Sequence, residues 1–278
     1  MLEEFLEDRR IRGVSGKTLK WYECYLRGWM DARGRPERGK PAALRGFLDG
    51  YSNGQTRRTA FVAVRAYEHW RAKVLGARCW MEGLGMTFAP APEYPVLRQK
   101  QFEAVMGQLD LSDRGEWRDY VVYSLLWYTG ARLDAIRLLR TGDVDLEGGT
   151  LTVSTKGGMR AAIALPGVAA GILGKWMKKG AKGEKSAWVF PSLVRTGRAV
   201  SASWLSHGLP RLARGAGLTC RVWVHGLRHS CATRLVAEAG VSVARRQLLH
   251  RSISTTERYV HWDLREVQKA VERAWSAS

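Results

Sequence analysis

The chain has 278 residues and a mass of 31.2 kDa, with 45 Lys and Arg against 26 Asp and Glu, a formal net charge of +19 at pH 7. Hydrophobic residues make up 45% of it and twelve residues are Trp, which excludes a disordered basic tail. The length predicts two domains, and the charge predicts a polyanionic partner, nucleic acid above all, with a merely basic enzyme as the alternative.

The first residues of the chain and its cysteines indicate the cellular compartment to expect. Met1–Asp8 is acidic and amphipathic, unlike the basic start of a secretory signal. No stretch approaches about 18 uninterrupted apolar residues, so no membrane span is expected. The four cysteines are scattered without a CxxC pair, which favours reduced thiols in a cytoplasm over disulfides or zinc ligands.

The N-terminal region is predicted to be helical. Apolar residues at helical spacing predict helices over Lys17–Arg33, from Pro41, and from about Thr56, with a basic Gly/Pro loop over Arg33–Lys40. Any one of these charged residues could simply belong to a solvated basic face of a helix. Their number favours a surface that binds DNA phosphates, with these candidate residues: Lys40, Arg57, Arg58 and Arg65.

The composition changes at Met86–Pro95, where prolines cluster and exclude a helix. A semi-rigid linker is therefore expected over 86–96. It would separate an N-terminal helical domain, 1–85, from a C-terminal domain, 97–278.

The C-terminal domain is predicted to be mostly helical around one small sheet. Helices are expected over Gln99–Gln108, Trp117–Tyr128 and Ala131–Leu139. Strands separated by Gly-rich turns are expected over Val144–Leu146, Thr150–Ser154 and Ala161–Leu165. From Gly167 onward the pattern again predicts helix, apart from an exposed Lys/Gly-rich loop over Lys175–Lys185. The predicted fold class is mainly α with a small antiparallel β-sheet.

Nucleotide-binding and metal-binding patterns are weak. The chain has no GxxxxGK[ST] loop. His225 and His229 are four residues apart, as in zinc proteases, but Gly226 stands where the general-base Glu belongs. A zinc hydrolase therefore stays a minor alternative, and neither a metal ion nor a cofactor is expected.

A set of residues suited to phosphoryl transfer is present. A phosphodiester gains negative charge in its transition state, which guanidinium groups can bind without a metal. A nucleophile, a base and an acid are also needed. Each candidate alone has an ordinary structural explanation, such as a surface charge or a turn lysine. The candidate groups are Arg132, Lys156, His225, Arg228, His250 and Tyr259.

In this order, four motifs resemble those of the tyrosine recombinases, the phage integrase family. They are YTGAR over 128–132, TKGG over 155–158, HGLRH over 225–229 and HRSISTTERY over 250–259. The resemblance in motifs runs from Leu97 to the C-terminus. The N-terminal helices match the family only in length and character.

The resemblance assigns a role to each candidate residue. It implies that Arg132 and Arg228 clamp the scissile phosphate and that Lys156 protonates the departing 5′ oxygen. His225 would help to remove the phenolic proton of Tyr259, the nucleophile.

His250 would hydrogen-bond a phosphate oxygen. Attack would leave a 3′-phosphotyrosyl bond and a free 5′ hydroxyl. Because one ester replaces another, the step would be reversible without ATP.

The resemblance also implies an architecture. Domain 1–85, of the core-binding (SAM-like) type, and catalytic domain 97–278 would form a clamp around double-stranded DNA. Four protomers would synapse two duplexes for integration, excision or dimer resolution, in the cytoplasm, at the nucleoid of a prokaryotic or viral-host cell. The oligomeric state without DNA and the delivery of Tyr259 in cis or in trans stay open. So does whether the apolar stripe Leu264, Val267, Val271 and Trp275 packs on its own domain or on a neighbour.

Two positions depart from the common family pattern, and two alternatives stay open. Ala135 stands where many relatives have an acidic residue, and Leu249 where many have glycine before the second histidine. Neither change removes a catalytic group, so activity is expected. The alternatives are a type IB topoisomerase-like relaxing enzyme and a catalytically inactive DNA-binding or architectural protein.

Overall fold

The computed structural model of the chain describes residues 1–33, 40–86, 95–155, 159–180 and 187–249, without the side chains of residues 33 and 40. The chain divides into two compact units, Met1–Pro92 and Glu93–Ser278. Within the described ranges, no helix combines the length and the apolar character that crossing a membrane requires. The predictions for these features concern residues outside those ranges: the basic Gly/Pro loop, the proline-rich linker, Lys156, His250, Tyr259 and the C-terminal stripe.

Four helices form the described part of the first unit: α1 (Leu2–Ile11), α2 (Gly16–Arg33), α3 (Lys40–Asp49) and α4 (Gly54–Val74). Helix α4 begins after Asn53, whose side chain accepts hydrogen bonds from the backbone N–H groups of Gln55 and Thr56. This N-cap satisfies two of the amides that a helix start leaves without partners.

A buried carboxylate lies inside the first unit. Glu68 is 0% exposed, and its oxygens accept hydrogen bonds from Trp29 Nε1 at 3.1 Å and Trp80 Nε1 at 2.9 Å. Arg71 Nε donates to the same carboxylate at 3.1 Å. The carboxylate therefore links α2, α4 and the segment after α4 within the aromatic core.

The second unit contains six α-helices in its described part: α5 (Gln99–Met106), α6 (Arg114–Thr129), α7 (Leu133–Arg137), α8 (Gly167–Lys175), α9 (Ala202–Gly215) and α10 (Val224–Leu248). Helix α10 is interrupted by non-helical backbone at Gly240, with φ 79° and ψ 170°. That conformation is open to glycine and strained for other residues.

A three-stranded antiparallel sheet stands between α7 and α8. It consists of β1 (Val144–Asp145), β2 (Thr150–Ser154) and β3 (Arg160–Ala164), in the order β1-β2-β3. Leu151 at its centre pairs with Val144 on one side and Ile163 on the other. The predicted fold class, mainly α with a small antiparallel sheet, is confirmed.

Helix α6 is the central element of the second unit. It is buried on nearly every face, from Val121 and Val122 to Leu125 and Trp127. A helical stretch with apolar residues on every side belongs inside a domain, and the part of α6 that follows Tyr120 is such a stretch. Its C-terminal end is therefore held rigidly, and the residues that follow it start from a fixed place.

The prediction of helix from Gly167 onward is wrong for residues 187–201, which are irregular in the structure. Pro191 and Gly197 interrupt this segment, and isolated bridges pair Pro191 with Ala199 and Trp188 with Arg140. Both residue types disfavour helix, and tertiary pairing replaces the helical hydrogen bonds.

The predicted exposed loop over Lys175–Lys185 is wrong for its first part. Residues Trp176–Gly180 form a π-helical turn that continues α8, and Trp176 is fully buried. Its Nε1 donates to the carbonyl of Val189 at 2.8 Å, and its ring packs edge-on against Trp117. Burial of this one aromatic ring thus outweighs the loop-forming composition around it. Residues 181–186 lie outside the described ranges.

Replacing Glu68 with Ala should lower the free energy of unfolding by about 3 kcal/mol, because it leaves Arg71 and two indole N–H groups without their acceptor. Glu82→Ala is the matched control, since Glu82 forms an exposed pair with Arg78 and should change stability by less than about 0.5 kcal/mol. Urea denaturation of the full chain measures both, and equal losses would contradict a structural role for Glu68.

Candidate active site

A sharp turn at the end of α6 determines the position of Arg132. Gly130 has φ 65° and donates its N–H to the carbonyl of Leu126 at 3.0 Å, which ends the helix. Thr129 Oγ1 donates to the carbonyl of Leu125 at 2.6 Å and accepts from the N–H of Ala131 at 3.2 Å. The chain leaves this turn in an extended conformation at Arg132, the N-cap of α7.

The turn packs directly against α10, and this requires a glycine. A Cβ atom at Gly130 would lie 2.6 Å from Leu248 Cδ2 and 3.0 Å from Cys231 Sγ. Burial raises the pKa of the Cys231 thiol to about 11, so it stays protonated at neutral pH. Cys231 is therefore a packing residue of this contact.

Arg228 connects the C-terminal end of α6 to the C-terminal end of α10. Its side chain is buried; Nη1 donates to the carbonyl of Gly130 at 2.6 Å and Nη2 donates to the carbonyl of Leu248 at 2.8 Å. The guanidinium thus fixes the turn after α6 to the last turn of α10. Its positive charge is held in place by the fold.

Arg132, His225 and Arg228 come together at one cavity of about 240 Å³, which five further residues complete: Ala131, Leu133, Ser206, Trp223 and Val224. His225 lies in the first turn of α10, three residues before Arg228 and therefore on the same face. Arg132 and His225 are exposed to solvent, whereas Arg228 is buried.

Packing against Trp223 explains why the HGLRH motif has a glycine at residue 226. A Cβ atom there would lie 3.2 Å from the ring of Trp223, which is one wall of the cavity. The glycine therefore lets the indole pack against the start of α10. Within the described ranges, no group of three or more His, Cys, Asp and Glu residues is placed to hold a metal ion.

A narrow cleft beside the cavity brings in the sheet and the end of α10. Arg132 and Arg228 line it together with Ser154, at the end of β2, and Gln247. Gln247 was not among the predicted site residues. Its sequence context, between arginines and leucines, carries no signal that separates it from an ordinary helix-surface residue.

Three predicted catalytic residues, Lys156, His250 and Tyr259, lie outside the described ranges. For Lys156 and His250, the structure describes the residue directly before each. Thr155, directly before Lys156, donates its N–H to the carbonyl of Met159 at 2.7 Å across the β2–β3 connection. Leu249, directly before His250, ends α10 in a left-handed conformation.

The two departures from the family pattern are visible. Ala135 lines the narrow cleft, while Asp134 is exposed and accepts a hydrogen bond from Arg137 Nε at 2.5 Å. Leu249 has φ 53° and is, among the described residues, the one non-glycine residue with positive φ. That conformation costs an L-residue roughly 1–2 kcal/mol, a cost that the glycine expected here from the family resemblance would avoid.

The predicted DNA-binding residues of the first unit are in different situations. Arg57 Nε donates to the carbonyl of Leu48 at 3.1 Å, so it holds the end of α3. Arg58 and Arg65 are exposed and seven residues apart, two turns along one face of α4. His69 continues this face. Lys40 begins α3, and its side chain is not described.

The second unit has a basic groove that the sequence did not predict. It has a volume of about 1220 Å³, and its charged or aromatic lining residues are Arg118, Arg137, Arg195, Arg198, Arg211, His207 and Trp204. No Asp or Glu lines it. Its residues come from α6, α7, α9 and the irregular segment 187–201, so spacing along the chain could not bring them together.

Trp204 is fixed in this groove although it is 55% exposed. Its Nε1 donates to Asp119 Oδ2 at 2.6 Å, and Arg118 donates two hydrogen bonds to the other oxygen of that carboxylate. The indole therefore has a set orientation beside the basic side chains.

Replacing Gly130 with Ala should lower the free energy of unfolding by about 2–4 kcal/mol, the sum of a left-handed backbone cost and an overpacking cost. Gly149→Ala is the matched control: Gly149 has φ 61°, but the nearest atom to an added Cβ is 3.5 Å away. It should lose only the backbone part, about 1–2 kcal/mol. Urea denaturation of both variants checks this, and equal losses would show that the contact with α10 is not tight.

Residues 95–266 match the family model described as Phage integrase family. Over 288 residues the chain is 30% identical to the tyrosine recombinase XerC of Xylella fastidiosa (strain M23), a match that covers 99% of this chain and 96% of the relative.

Two solved structures have the same fold. The XerH site-specific recombinase bound to its difH substrate, in a pre-cleavage complex, superposes with a TM-score of 0.72 at 20% identity, covering 96% of this chain and 83% of the other. A lambda integrase tetramer bound to a Holliday junction superposes with a TM-score of 0.71 at 19% identity, covering 94% and 78%. The topoisomerase-like and inactive alternatives are not favoured by these similarities. The chain therefore belongs to the phage integrase family and is a tyrosine-type site-specific recombinase.

Proposed function

We propose that the chain cleaves and rejoins double-stranded DNA at the cavity formed by Arg132, His225 and Arg228, through a 3′-phosphotyrosyl intermediate on Tyr259. The observation that carries this proposal is the convergence of two guanidinium groups and an imidazole, from two helices, on one cavity of about 240 Å³.

The two arginines have complementary roles in this proposal. Arg132 is exposed at the start of α7, so it can approach a phosphate that enters from solvent. Arg228 supplies a charge that is already held in place by two carbonyls. A preorganised cation at the developing charge lowers the barrier because little reorganisation is needed during the reaction.

In the proposed reaction His225 takes up one proton and Lys156 gives one up. A phenol has a pKa of about 10, so Tyr259 needs a base, and His225 accepts its proton as the bond from its oxygen to phosphorus forms. The bond from phosphorus to the 5′ oxygen breaks, and Lys156 gives that oxygen a proton. His250 hydrogen-bonds a non-bridging oxygen. No redox step or cofactor is needed.

DNA would be bound by both units. In the first unit, core-binding domain 1–85, the face of α4 with Arg58 and Arg65 would contact phosphates. In catalytic domain 97–278, the groove around Trp204 would do so. Helix α7 connects the two places: its N-cap, Arg132, lines the cavity, and its last residue, Arg137, lines the groove, about one and a half turns further along the chain.

The assembly and the compartment follow from the proposed reaction. Strand exchange between two duplexes needs four cleavages, and one tyrosine per protomer therefore requires a tetrameric synapse on DNA. The proposed site of action is the cytoplasm, where prokaryotic DNA lies; the four cysteines are free thiols in the structure.

Replacing Tyr259 with Phe should abolish the covalent protein–DNA adduct on a nicked duplex and change DNA affinity by less than about twofold, because one hydroxyl is lost. Denaturing gels measure the adduct and gel shifts measure the affinity. Tyr25→Phe, the same change in the first unit, should form adduct at the parent rate, and EDTA should leave cleavage by the parent intact. An adduct from the Tyr259 variant would contradict the proposed nucleophile.

Replacing Arg198 and Arg211 with Gln should weaken DNA binding and reduce the slope of log K against log salt by about 0.9 for each lost phosphate contact. Replacing Arg10 and Arg78 with Gln is the control with the same loss of two charges, since both side chains are exposed and pair with Glu7 and Glu82 outside the groove. Fluorescence anisotropy between about 50 and 200 mM salt gives the slopes. An unchanged slope in the double variant would remove the groove from the DNA-binding surface.

A further inference from the structure

We propose that Gln247 is a positioning residue for leaving-group protonation, because it fixes the β2–β3 hairpin to the turn that carries Arg132. This inference rests on the proposed function of the cavity. It assigns a role to a residue that neither the family resemblance nor the motifs include.

The carboxamide of Gln247 contacts the edge of the sheet at one residue. Its Oε1 accepts from the N–H of Ala164 at 3.0 Å, and its Nε2 donates to the carbonyl of the same residue at 3.0 Å. Strand β3 lies at the edge of the sheet, so these backbone groups face away from β2. One donor and one acceptor on a single side chain thus take the place of a neighbouring strand.

The same carboxamide also contacts the turn after α6. Nε2 donates to the carbonyl of Thr129 at 3.1 Å. Thr129 directly precedes Gly130, whose carbonyl accepts from Arg228. Arg228 in turn donates to the carbonyl of Leu248, the residue after Gln247. Two side chains therefore join the same two backbone segments, and Gln247 extends the connection to the sheet.

The hairpin leads from this anchor toward the reacting groups. Ser154, the last residue of β2, lines the cleft with Arg132 and Arg228. Lys156 follows Ser154 by two residues in the sequence, so a displacement of β2 is passed to the lysine through the backbone. A hairpin that tilts at its anchor changes the distance between the lysine and a phosphate bound by the arginines.

This predicts a loss that depends on the leaving group. A departing alkoxide is a strong base and needs a proton, whereas a departing thiolate is a far weaker base, since a thiol resembles cysteine, with a pKa of about 8.5. A substrate with sulfur in place of the bridging 5′ oxygen therefore does not need the acid. A positioning defect of the acid should disappear with that substrate, and a general defect of the fold should not.

The experiment compares single-turnover cleavage of the oxygen and sulfur substrates. Gln247→Met keeps length and helix propensity and removes all three hydrogen bonds. It should cleave the oxygen substrate about 10²-fold more slowly than the parent, the size expected for a misplacement of about 1 Å. It should cleave the sulfur substrate within about threefold of the parent.

Gln101→Met is the matched control, because Gln101 accepts a backbone hydrogen bond from Arg98 at the start of α5, away from the cavity. It should cleave both substrates like the parent. If Gln247→Met does not fold, Gln247→Asn, which keeps the amide but is one methylene shorter, serves in its place.

Lys156→Ala separates this inference from the proposed function. If sulfur restores cleavage in the lysine variant but not in the Gln247 variant, or if the Gln247 variant cleaves both substrates normally, the inference is overturned. If sulfur restores the Gln247 variant but not the lysine variant, Gln247 positions a different acid and the role of Lys156 is wrong. If sulfur restores neither, both assignments fail.

Discussion

The hydrogen bonds from Arg228 to the carbonyls of Gly130 and Leu248 are the constraint on which the site depends. A buried guanidinium is costly unless its N–H groups find acceptors. Here the acceptors are carbonyls at two helix ends, which intrahelical hydrogen bonding leaves without partners. The arginine therefore stabilises the meeting of the two ends, and the meeting places the arginine in the cavity.

Several ordinary features of the chain serve this contact. Gly130 provides both the left-handed turn and the room that Leu248 and Cys231 require. Helix α6, buried on nearly all sides, gives the turn a fixed starting point. Gln247 adds the sheet to the same junction. The exposed reacting groups, Arg132 and His225, are thus attached to a rigid base, which suits a reaction that needs a defined position for one phosphate.

Local patterns in the sequence were sufficient to predict much of the fold and part of the site. The spacing of His225 and Arg228 places both on one helical face, and the Thr-Gly break before Arg132 predicts the turn. The Gly-rich turns predict the hairpins of the sheet. Contacts between distant segments could not be predicted in this way. The burial of Trp176 depends on Trp117 and Phe190, and the bonds of Gln247 depend on residues 83 and 118 positions earlier. The basic groove likewise assembles from three separate parts of the chain, around Arg118, at Arg137 and over residues 192–211.

The most direct test of the central claim measures cleavage by Arg132→Ala on two substrates, one with a normal scissile phosphate and one with a neutral methylphosphonate there. Arg132 is exposed, so the variant should keep the fold. If Arg132 binds the charge of the phosphate, the variant should lose about 10³-fold on the charged substrate and less than about tenfold on the neutral one, relative to the parent. Equal losses on both would contradict a phosphate held by the arginines of this cavity.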